Sequence, residues 1–366
     1  GLGDVYKRQP YMEKAPVPYP PVLHSLASAS TIAWLIHQKF ELSIPLYRQE
    51  KEWEALGLRL SRATMSNWLL VVYRDWLVHI VHRLKLELLK QRYLHIDETH
   101  VQVLKEPGRK NTSDSYMWVY CSIRDAVNPI RYFEYQPGRS GKYPEAFLRE
   151  YEGYIHTDAY SGYNAVSGVK RCLCYTHLRR AFVDALPKDI HNSEASKPAE
   201  AILRLNQFFN IESELEALPP DQKKKERLIR EKPLLEAFWS WAEKSAIGEL
   251  PKSKLSKAFH YALNNREGFW NYLEDGNCSI SNSLAENCIR PFVIGRKNWL
   301  FSGSPKGAEA SAGIYTLVET AKANGLAPMK YIKYILSDMP GSAFLEHPEY
   351  LDDYLPWNPL VKEFCR

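Results

Sequence analysis

The sequence predicts an α/β fold in which helices flank a mixed sheet, with a helical region before the sheet and a helical insertion further along the chain. Three patterns support this prediction. Apolar residues recur at helical spacing up to about residue 92, and from there to about residue 135 they alternate with polar residues as strands do. Strands and helices then alternate up to about residue 186, and a helical stretch follows over residues 187–262.

The composition is that of an ordinary globular protein. Of the 366 residues, 45% are hydrophobic and 25% are charged, which excludes a disordered or fibrous chain. The sequence has neither a run of about 18 apolar residues nor a signal-peptide pattern at its start, so we expect a cytoplasmic protein rather than a membrane or secreted one. The six cysteines form no C-x-x-C pair, and we expect structural thiols rather than zinc ligands.

Cations are concentrated in two parts of the chain, although the net charge is only +5. Residues 10–96 contain 11 Lys/Arg against 7 Asp/Glu, and residues 286–333 contain 7 against 3. These two stretches are therefore the candidates for contact with a polyanion.

The first nine residues, 1–9, show no apolar periodicity and resemble a translated sequencing adapter. We expect them to be a non-native tail, with the genuine sequence beginning near Pro10 and the natural N-terminus lying upstream.

Three helices are predicted before the sheet. The first covers residues 25–40, the second covers residues 46–56 and ends at Gly57, and the third begins at the capping residue Ser61 and extends to about Leu89.

The two helices that meet at the glycine turn are typical of a helix-turn-helix. In that interpretation Arg62, Thr64 and Asn67 lie on an exposed face that contacts DNA. An ordinary helical hairpin is the alternative.

The sheet is predicted to begin as a meander of four strands separated by Gly, Pro, Asn and Asp turns, at residues 93–97, 101–104, 116–121 and 130–135. The elements that follow it are a helix at 143–151, strands at 153–156 and 171–175, and a helix at 177–186.

The insertion has a charged middle, residues 221–227, between prolines at 219, 220 and 233. We interpret this lysine-rich run as a solvated helical face rather than a DNA-binding patch. The last helices are predicted at residues 281–292, 308–324 and 329–337.

Three acids are candidates for chemistry. Asp97 ends an apolar strand, where an unpaired carboxylate costs stability, and Asp158 repeats this arrangement at the end of a later strand. Glu286 lies on a predicted helix. Together they offer the oxygen ligands that a pair of hard divalent ions needs, and such a pair supports displacement at a phosphodiester without a covalent enzyme intermediate. By spacing alone, ordinary turn and capping carboxylates are the alternative.

Six motifs follow one another in the sequence: YLHIDET at 93–99, GRSG at 138–141, HTDAYSGYN at 156–164, CYTHLRR at 174–180, ENCIRP at 286–291 and GRKNWLF at 295–301. In order and spacing they resemble those of the bacterial transposases of the insertion sequence sixty-six family. The resemblance extends over about residues 16–357.

This resemblance implies an RNase H-like core with a DDE triad, in which Asp97, Asp158 and Glu286 are the catalytic and metal-binding residues. It implies two Mg²⁺ ions as cofactors, with Mn²⁺ as a substitute. The implied partners are transposon-end and target double-stranded DNA, further copies of the chain, and accessory proteins of the same element, all at the bacterial nucleoid.

The domain organisation that follows has six parts. They are the tail at 1–9, a helical DNA-binding region with the helix-turn-helix at 10–92, the first part of the catalytic core at 93–186, the insertion at 187–262, the second part of the core with the Glu286 helix at 263–324, and a C-terminal helical tail at 325–366.

The resemblance also points to DNA contacts. Arg296 and Lys297 supply two cations beside the flat ring of Trp299, as expected just beyond the catalytic helix where a DNA end is held, and a helix end packed by Trp299 is the alternative. Arg139 lies in a glycine loop that could meet phosphate or be a plain turn. The DNA-binding candidates are Arg62, Asn67, Arg139, Asn282, Arg290, Arg296, Lys297 and Trp299. Of these, Asn282 is the amide retained where residues 279–283 depart from the family's acid-Asn-Asn pattern.

Two rival functions stay open. His95 and His156 each precede a candidate acid by two residues, and a His-x-Asp pair suits a binuclear metallohydrolase with zinc or manganese. That function leaves Glu286 and the basic motif unexplained. The other rival is a domesticated DNA-binding relative that has lost cleavage, which the presence of all three acids opposes.

Overall fold

The computed structural model describes residues 19–187 and 196–366. The predicted tail at 1–9 and most of the first ten residues of the predicted insertion lie outside the described residues.

A six-stranded mixed sheet forms the centre of the molecule. Its strands are β1 (Tyr93–Val103), β2 (Asp114–Ser122), β3 (Arg131–Gln136), β4 (Gly153–Thr157), β5 (Val169–Leu173) and β6 (Phe301–Ser302). Their spatial order is β3-β2-β1-β4-β5, and β6 pairs with β1. The first three strands form the predicted antiparallel meander, whereas β4 and β5 run parallel to β1.

The first strand is longer than the sequence predicts. The predicted strands at 93–97 and 101–104 are one continuous strand, β1, which pairs with β2 from Leu94 through Gln102. The polar residues Glu98, Thr99 and His100 mimic a turn in the sequence. They remain in the strand because β2 satisfies their backbone groups along the whole length.

The N-terminal helices follow the prediction closely. They are α1 (Ala29–Ile36), α2 (Leu46–Ala55), α3 (Arg62–Val72) and α4 (Val78–Leu89). The Ser61 hydroxyl caps α3 by accepting the Thr64 N–H, and a π-helical turn, Tyr73–Leu77, joins α3 to α4, so the predicted long helix to Leu89 is confirmed.

Two helices after the insertion cover the sheet. These are α12 (Ser283–Trp299), which packs against β1 and β2, and α13 (Pro305–Ala323), which packs against β3. Two threonine hydroxyls on α13 accept hydrogen bonds from backbone N–H groups of β3. Thr316 accepts the Phe133 N–H at 2.8 Å, and Thr320 accepts the Arg131 N–H at 3.1 Å. The sheet edge is thereby closed to another strand.

A second core lies beside β4 and β5. It is built by α6 (Tyr175–Val183), α7 (Lys197–Glu214), α9 (Lys232–Ala246), α10 (Lys254–Asn264) and α11 (Arg266–Trp270). Helix α5 (Lys142–Phe147) packs in the first core through Phe147, α8 (Pro220–Glu226) lies on the surface, and the chain ends in α14 (Pro328–Asp338) and α15 (Pro359–Cys365). Helix α6 packs against α7 and α10, so the insertion shares a hydrophobic core with the sheet domain.

The interpretation of residues 221–227 as a solvated face is wrong for Arg227. Lys224 and Lys225 are exposed, but the Arg227 side chain is fully buried and every one of its N–H groups is bonded. It pairs with Glu212 through two hydrogen bonds, and it donates to the carbonyls of Tyr272, Asp275 and Cys278. The lysine-rich sequence around Arg227 does not indicate that this side chain is buried.

Two further boundaries differ from the prediction. Tyr175 begins α6 instead of ending β5, and α12 continues through Pro291 to Trp299 where the sequence predicts an end near residue 292. None of the described helices is long and apolar enough to cross a membrane.

Candidate active site

Two of the three candidate acids lie on neighbouring strands of the sheet, Asp97 in the middle of β1 and Asp158 just past the end of β4. His95 on β1 is opposite His156 on β4 in the ladder. Asp97 follows His95 by two residues and lies on the same face of β1, and Asp158 follows His156 by two residues, just past the end of β4.

Asp97 is an unusual carboxylate. It lies at mid-strand with little solvent around it, and its carboxylate accepts the Glu98 N–H at 2.9 Å. Burial, together with the negative charges of Glu98, Asp158 and Glu286, raises the pKa of Asp97 to about 7. A bound cation would stabilise the charged form of a carboxylate that is buried among other negative charges.

Arg171 holds the loop that carries Asp158. Arg171 on β5 donates to the backbone carbonyls of Asp158 and Tyr160, at 2.6 and 2.8 Å, and to the Thr157 hydroxyl at 2.7 Å. The Asp158 carboxylate accepts the Tyr160 N–H at 2.9 Å. The position of this acid is therefore fixed by backbone contacts, which leave most of its oxygen lone pairs free.

Glu286 lies in the first turn of α12. Its carboxylate is 3.8 Å from His177 Nε2 and 3.9 Å from an Arg180 nitrogen, both on α6. Its Oε1 is buried and has no hydrogen-bond partner among the described residues. A buried oxygen of this kind is suited to a ligand that the protein itself does not supply.

Asn282 brings that turn to β1. Its side chain donates to the Ile96 carbonyl at 2.8 Å and its Oδ1 pairs with His95 Nδ1 at 3.0 Å, while its backbone carbonyl accepts the Glu286 N–H. Glu286 is thus one helical turn from a residue bonded to the neighbour of Asp97. Asn282 therefore holds the first turn of α12, which carries Glu286, beside β1.

The carboxylates are near one another but not in contact. Two groups of three ligand-type side chains have all their ligand atoms within 4.8 Å in the described residues, and the triad of acids is neither of them. The charges of Asp158 and Glu286 nevertheless both raise the pKa of Asp97, after burial and the charge of Glu98, so the three acids lie within reach of one another's charges.

The family described as "Transposase IS66 family" matches residues 24–310 of the chain. The chain belongs to the IS66 transposase family. The match covers both aspartates, the insertion and the Glu286 helix.

Three related proteins come from Sinorhizobium fredii (strain NBRC 101917 / NGR234). They are "Uncharacterized protein y4hP", 25% identical over 94% of this chain and 65% of the relative, "Uncharacterized protein y4qI", 28% identical over 91% and 63%, and "Uncharacterized protein y4jD", 26% identical over 94% and 68%. The chain spans about two thirds of the length of these relatives.

Four residues of this IS66 family member were not assigned from the sequence. His177, Arg180 and Arg171 lie around Glu286 and Asp158. Glu98, on the face opposite Asp97, has an almost fully buried carboxylate bonded to Arg139 at 2.6 Å and to the Tyr163 hydroxyl at 2.5 Å. The CYTHLRR motif contained the signal for His177 and Arg180, since a His and an Arg three residues apart share one helix face.

Arg139 belongs to this polar cluster. Its guanidinium pairs with Glu98, lies 3.8 Å from Asp158 and covers the ring of Tyr160 at 3.9 Å. Its Nε donates to Glu98, so one side of the guanidinium is committed to this cluster, while 40% of the side chain stays exposed.

The two histidines of the rival function make hydrogen bonds to different parts of the protein. Their rings stack at 4.2 Å and both are buried. His156 donates through Nδ1 to the Leu94 carbonyl and accepts the Ser279 N–H at Nε2, and His95 Nδ1 is bonded to Asn282. Burial and the neighbouring ring lower the pKa of His95 well below its usual range. This geometry opposes a binuclear site with both imidazoles as ligands.

The remaining DNA-binding candidates fall into two groups. Arg62 and Asn67 on α3, and Arg290 and Lys297 on α12, are exposed. Arg296 and Lys297 were expected just beyond the catalytic helix, and this is wrong because they lie in its last turns. Arg296 is half-buried and donates to the Thr99 hydroxyl at 3.3 Å.

Two further candidates face inward. Asn282 is 1% exposed with both ends of its amide bonded, so its assignment to DNA contact is corrected to a positioning role. The ring of Trp299 packs over Gly295, where a Cβ would come within 2.1 Å of it, and lies 6.4 Å from the ring of Tyr315. A half-buried ring in this position supports the packing alternative.

Proposed function

We propose that the chain is the catalytic part of a DNA transposase that cuts transposon ends and joins the freed 3′-hydroxyl to target DNA. Asp97, Asp158 and Glu286 act as its DDE triad. The observation that supports the proposal is the β1–β4 register, which pairs His95 with His156 two residues before each aspartate, together with the hydrogen bonds of Asn282 that hold the turn carrying Glu286 beside β1. The strand order β3-β2-β1-β4-β5, antiparallel and then parallel, supports an RNase H-like core.

The triad fits a pair of Mg²⁺ ions, with Mn²⁺ as a substitute. Its donors are carboxylate oxygens, the set that hard divalent ions prefer, and their mutual repulsion is of the kind that bound cations relieve. When bound, two such ions lower the pKa of the attacking water or hydroxyl and stabilise the leaving oxygen of an in-line displacement.

The protein's own residues orient the site. Arg171 and Arg139 hold the Asp158 loop, and Asn282 holds the turn that carries Glu286. Arg180 lies beside Glu286 with half of its side chain exposed, where it can meet a phosphate that enters the site. Fixed geometry of this kind lowers the cost of positioning the scissile phosphodiester.

DNA binding is assigned to two exposed surfaces. On α12, Arg290 and Lys297 follow Glu286 by four and eleven residues, a spacing that places all three on one face of the helix. On α3, Arg62 and Asn67 are exposed after a tight turn in which Gly57 has a φ of +86°. We propose that α2 and α3 form a helix-turn-helix that reads duplex DNA.

The proposed partners are transposon-end and target DNA at the bacterial nucleoid. Because a transposase joins two ends, we also propose a homo-oligomer in the DNA complex, with accessory proteins of the same element.

The test is a Mg²⁺-dependent cleavage assay on DNA that carries the element's own ends. We expect Asp97→Asn and Asp158→Asn to abolish strand cleavage while duplex affinity stays within about twofold, because the acids do not meet phosphate directly. Asp221→Asn, an exposed acid on α8, is the matched control.

Two results would contradict the proposal. Cleavage by Asp97→Asn at the wild-type rate would show that Asp97 is not a member of a catalytic triad. Tight binding of end DNA by the wild type without cleavage in Mg²⁺ or Mn²⁺ identifies the DNA-binding relative that has lost catalysis.

A further inference from the structure

A second group of metal-ligand side chains lies inside the protein, apart from the three acids. It consists of His156 on β4, Cys172 on β5 and Cys278 in the loop before α12, and each is 1% exposed. Their ligand atoms all lie within 4.8 Å of one another. His156 and Cys172 are opposite each other in the β4–β5 ladder, so their side chains share one face of the sheet, and Cys278 approaches that face from the loop.

The chemistry of this donor set differs from that of the acids. Two sulfurs and one imidazole nitrogen suit a thiophilic ion with tetrahedral preference, and zinc is the usual occupant of such sites. Two sulfurs about 2.3 Å from a tetrahedral zinc lie roughly 3.8 Å apart, so a spacing below 4.8 Å requires a contraction of about 1 Å or less.

The imidazole is already oriented as a ligand. His156 Nδ1 donates to the Leu94 carbonyl at 3.1 Å, which fixes the tautomer and leaves the lone pair on Nε2. Metal-bound histidines characteristically make this hydrogen bond through their other ring nitrogen. The Nε2 lone pair now accepts the Ser279 N–H at 2.9 Å, so an ion needs this one loop residue to move.

The site has an approach from solvent. A cavity of about 600 Å³ reaches Cys278 and His95, and Ser279, Ser281 and Ser283 line it. Of the three ligands Cys278 lines this cavity, so an ion would enter beside that thiol, and the cavity can hold a water as a fourth ligand.

We propose that His156, Cys172 and Cys278 form a structural zinc site that ties β4 and β5 to the segment leading into the Glu286 helix. This proposal departs from the sequence-based expectation that the cysteines are structural thiols without metal. Its site joins the strand that leads to Asp158 to the loop that precedes Asn282, so the ion stiffens the frame of the acids without touching them. It does not rest on the proposed transposase activity.

The first test uses the wild-type chain and cobalt. Protein stripped with a chelator and then titrated with Co²⁺ is expected to develop an intense near-ultraviolet sulfur-to-cobalt band that saturates at about one ion per chain. Zn²⁺ should remove the band. Carboxylate ligands give no such band, so cobalt bound at the acids does not contribute to it. A titration without the band overturns the proposal.

X-ray absorption of the zinc-loaded wild type gives a second, independent reading. We expect two sulfur neighbours at about 2.3 Å and nitrogen or oxygen at about 2.0 to 2.1 Å. A shell of nitrogen and oxygen alone contradicts the site. Neither measurement depends on a variant that has to fold.

Variants then locate the ion. Cys172→Ser and Cys278→Ser should lose the cobalt band, whereas Cys121→Ser, a buried thiol on β2, should keep it. Cys174→Ser should also keep it, which separates this site from the neighbouring group of Cys174, His177 and Glu286. If Cys174→Ser loses the band and Cys278→Ser keeps it, the ion lies in that neighbouring group and the proposal is wrong.

Discussion

At the scale of single residues, the polar groups beneath the acids matter as much as the acids themselves. Asn282 satisfies two partners on β1 at once, and Arg171 takes three oxygens around Asp158. Buried networks of this type are costly when one member is removed, because the remaining partners stay buried and unpaired. Two predictions concern individual side chains around the site.

Asn282→Ala should lower the free energy of unfolding by about 2 to 4 kcal/mol, since it leaves the His95 ring nitrogen and the Ile96 carbonyl without this partner. Urea denaturation measures the change. Asn298→Ala, in the same helix and only half-buried, is the control with an expected change below about 0.5 kcal/mol. The folded Asn282→Ala protein should bind end DNA with wild-type affinity. A large drop in its affinity would show that Asn282 contacts DNA.

Trp299→Ala distinguishes packing from base stacking. Because the ring lies over Gly295 and Tyr315, we expect a decrease of about 2 kcal/mol in unfolding free energy and little change in affinity for end DNA. Stacking on a base would instead cost about 1 to 3 kcal/mol of binding. Leu300→Ala, at the exposed neighbouring position, is the control, and weaker DNA binding at unchanged stability would refute the packing role.

At the scale of elements, the insertion is part of the frame of the site. Arg227, at the start of the π-helical turn after α8, binds three carbonyls of the segment 272–278 that leads towards α12. In the same turn Glu231 is buried, with Oε2 bonded to the Tyr272 hydroxyl at 2.8 Å. The insertion therefore contacts the same loop that supplies Cys278.

Glu231→Gln should stabilise the protein in a pH-dependent way. Burial, with the charge of Glu212, raises the pKa of Glu231 from 4.5 to about 7. A raised folded-state pKa means that the charged form is penalised, so stability falls as pH rises from about 4.5 towards 7. The glutamine variant avoids this decrease and should exceed the wild type by up to about 3 kcal/mol at about pH 8, and by much less at about pH 5.

Urea denaturation at the two pH values checks this, with Glu236→Gln on the exposed α9 surface as the control. The same difference between Glu231→Gln and wild type at both pH values would show that the carboxylate is not penalised by burial.

At the scale of the whole molecule, the sequence predicts the elements well and the side-chain contacts poorly. Periodicity locates the strands around Asp97 and Asp158 because one face of each strand must be buried. It cannot show that Glu98, His100 and their neighbours stay in a strand, since the β2 backbone decides that. It also cannot show that Arg227 turns inward or that Cys172 and Cys278 meet, because those contacts join segments far apart in the chain.

The DNA path across the molecule gives the last prediction. Arg290 and Lys297 lie about 6 and 16 Å along α12 from Glu286, on the same exposed face, so DNA that enters the site should follow this helix. Log affinity falls as log salt rises, and each phosphate contact that is lost makes this fall less steep by about one unit. The Arg290→Ala, Lys297→Ala double variant should therefore bind end DNA more weakly, with a slope shallower by about two.

Lys224→Ala, Lys225→Ala is the matched control, because it also removes two exposed cations but on the insertion helix α8. Its slope should equal that of the wild type, since we assign that run to solvent rather than to DNA. The slope of Arg296→Ala should lie between the slopes of the two double variants, because Arg296 is half-buried against Thr99. Titrations over a range of salt concentrations decide the path. If the α8 variant alone has a shallower slope, the DNA crosses the insertion instead of following α12.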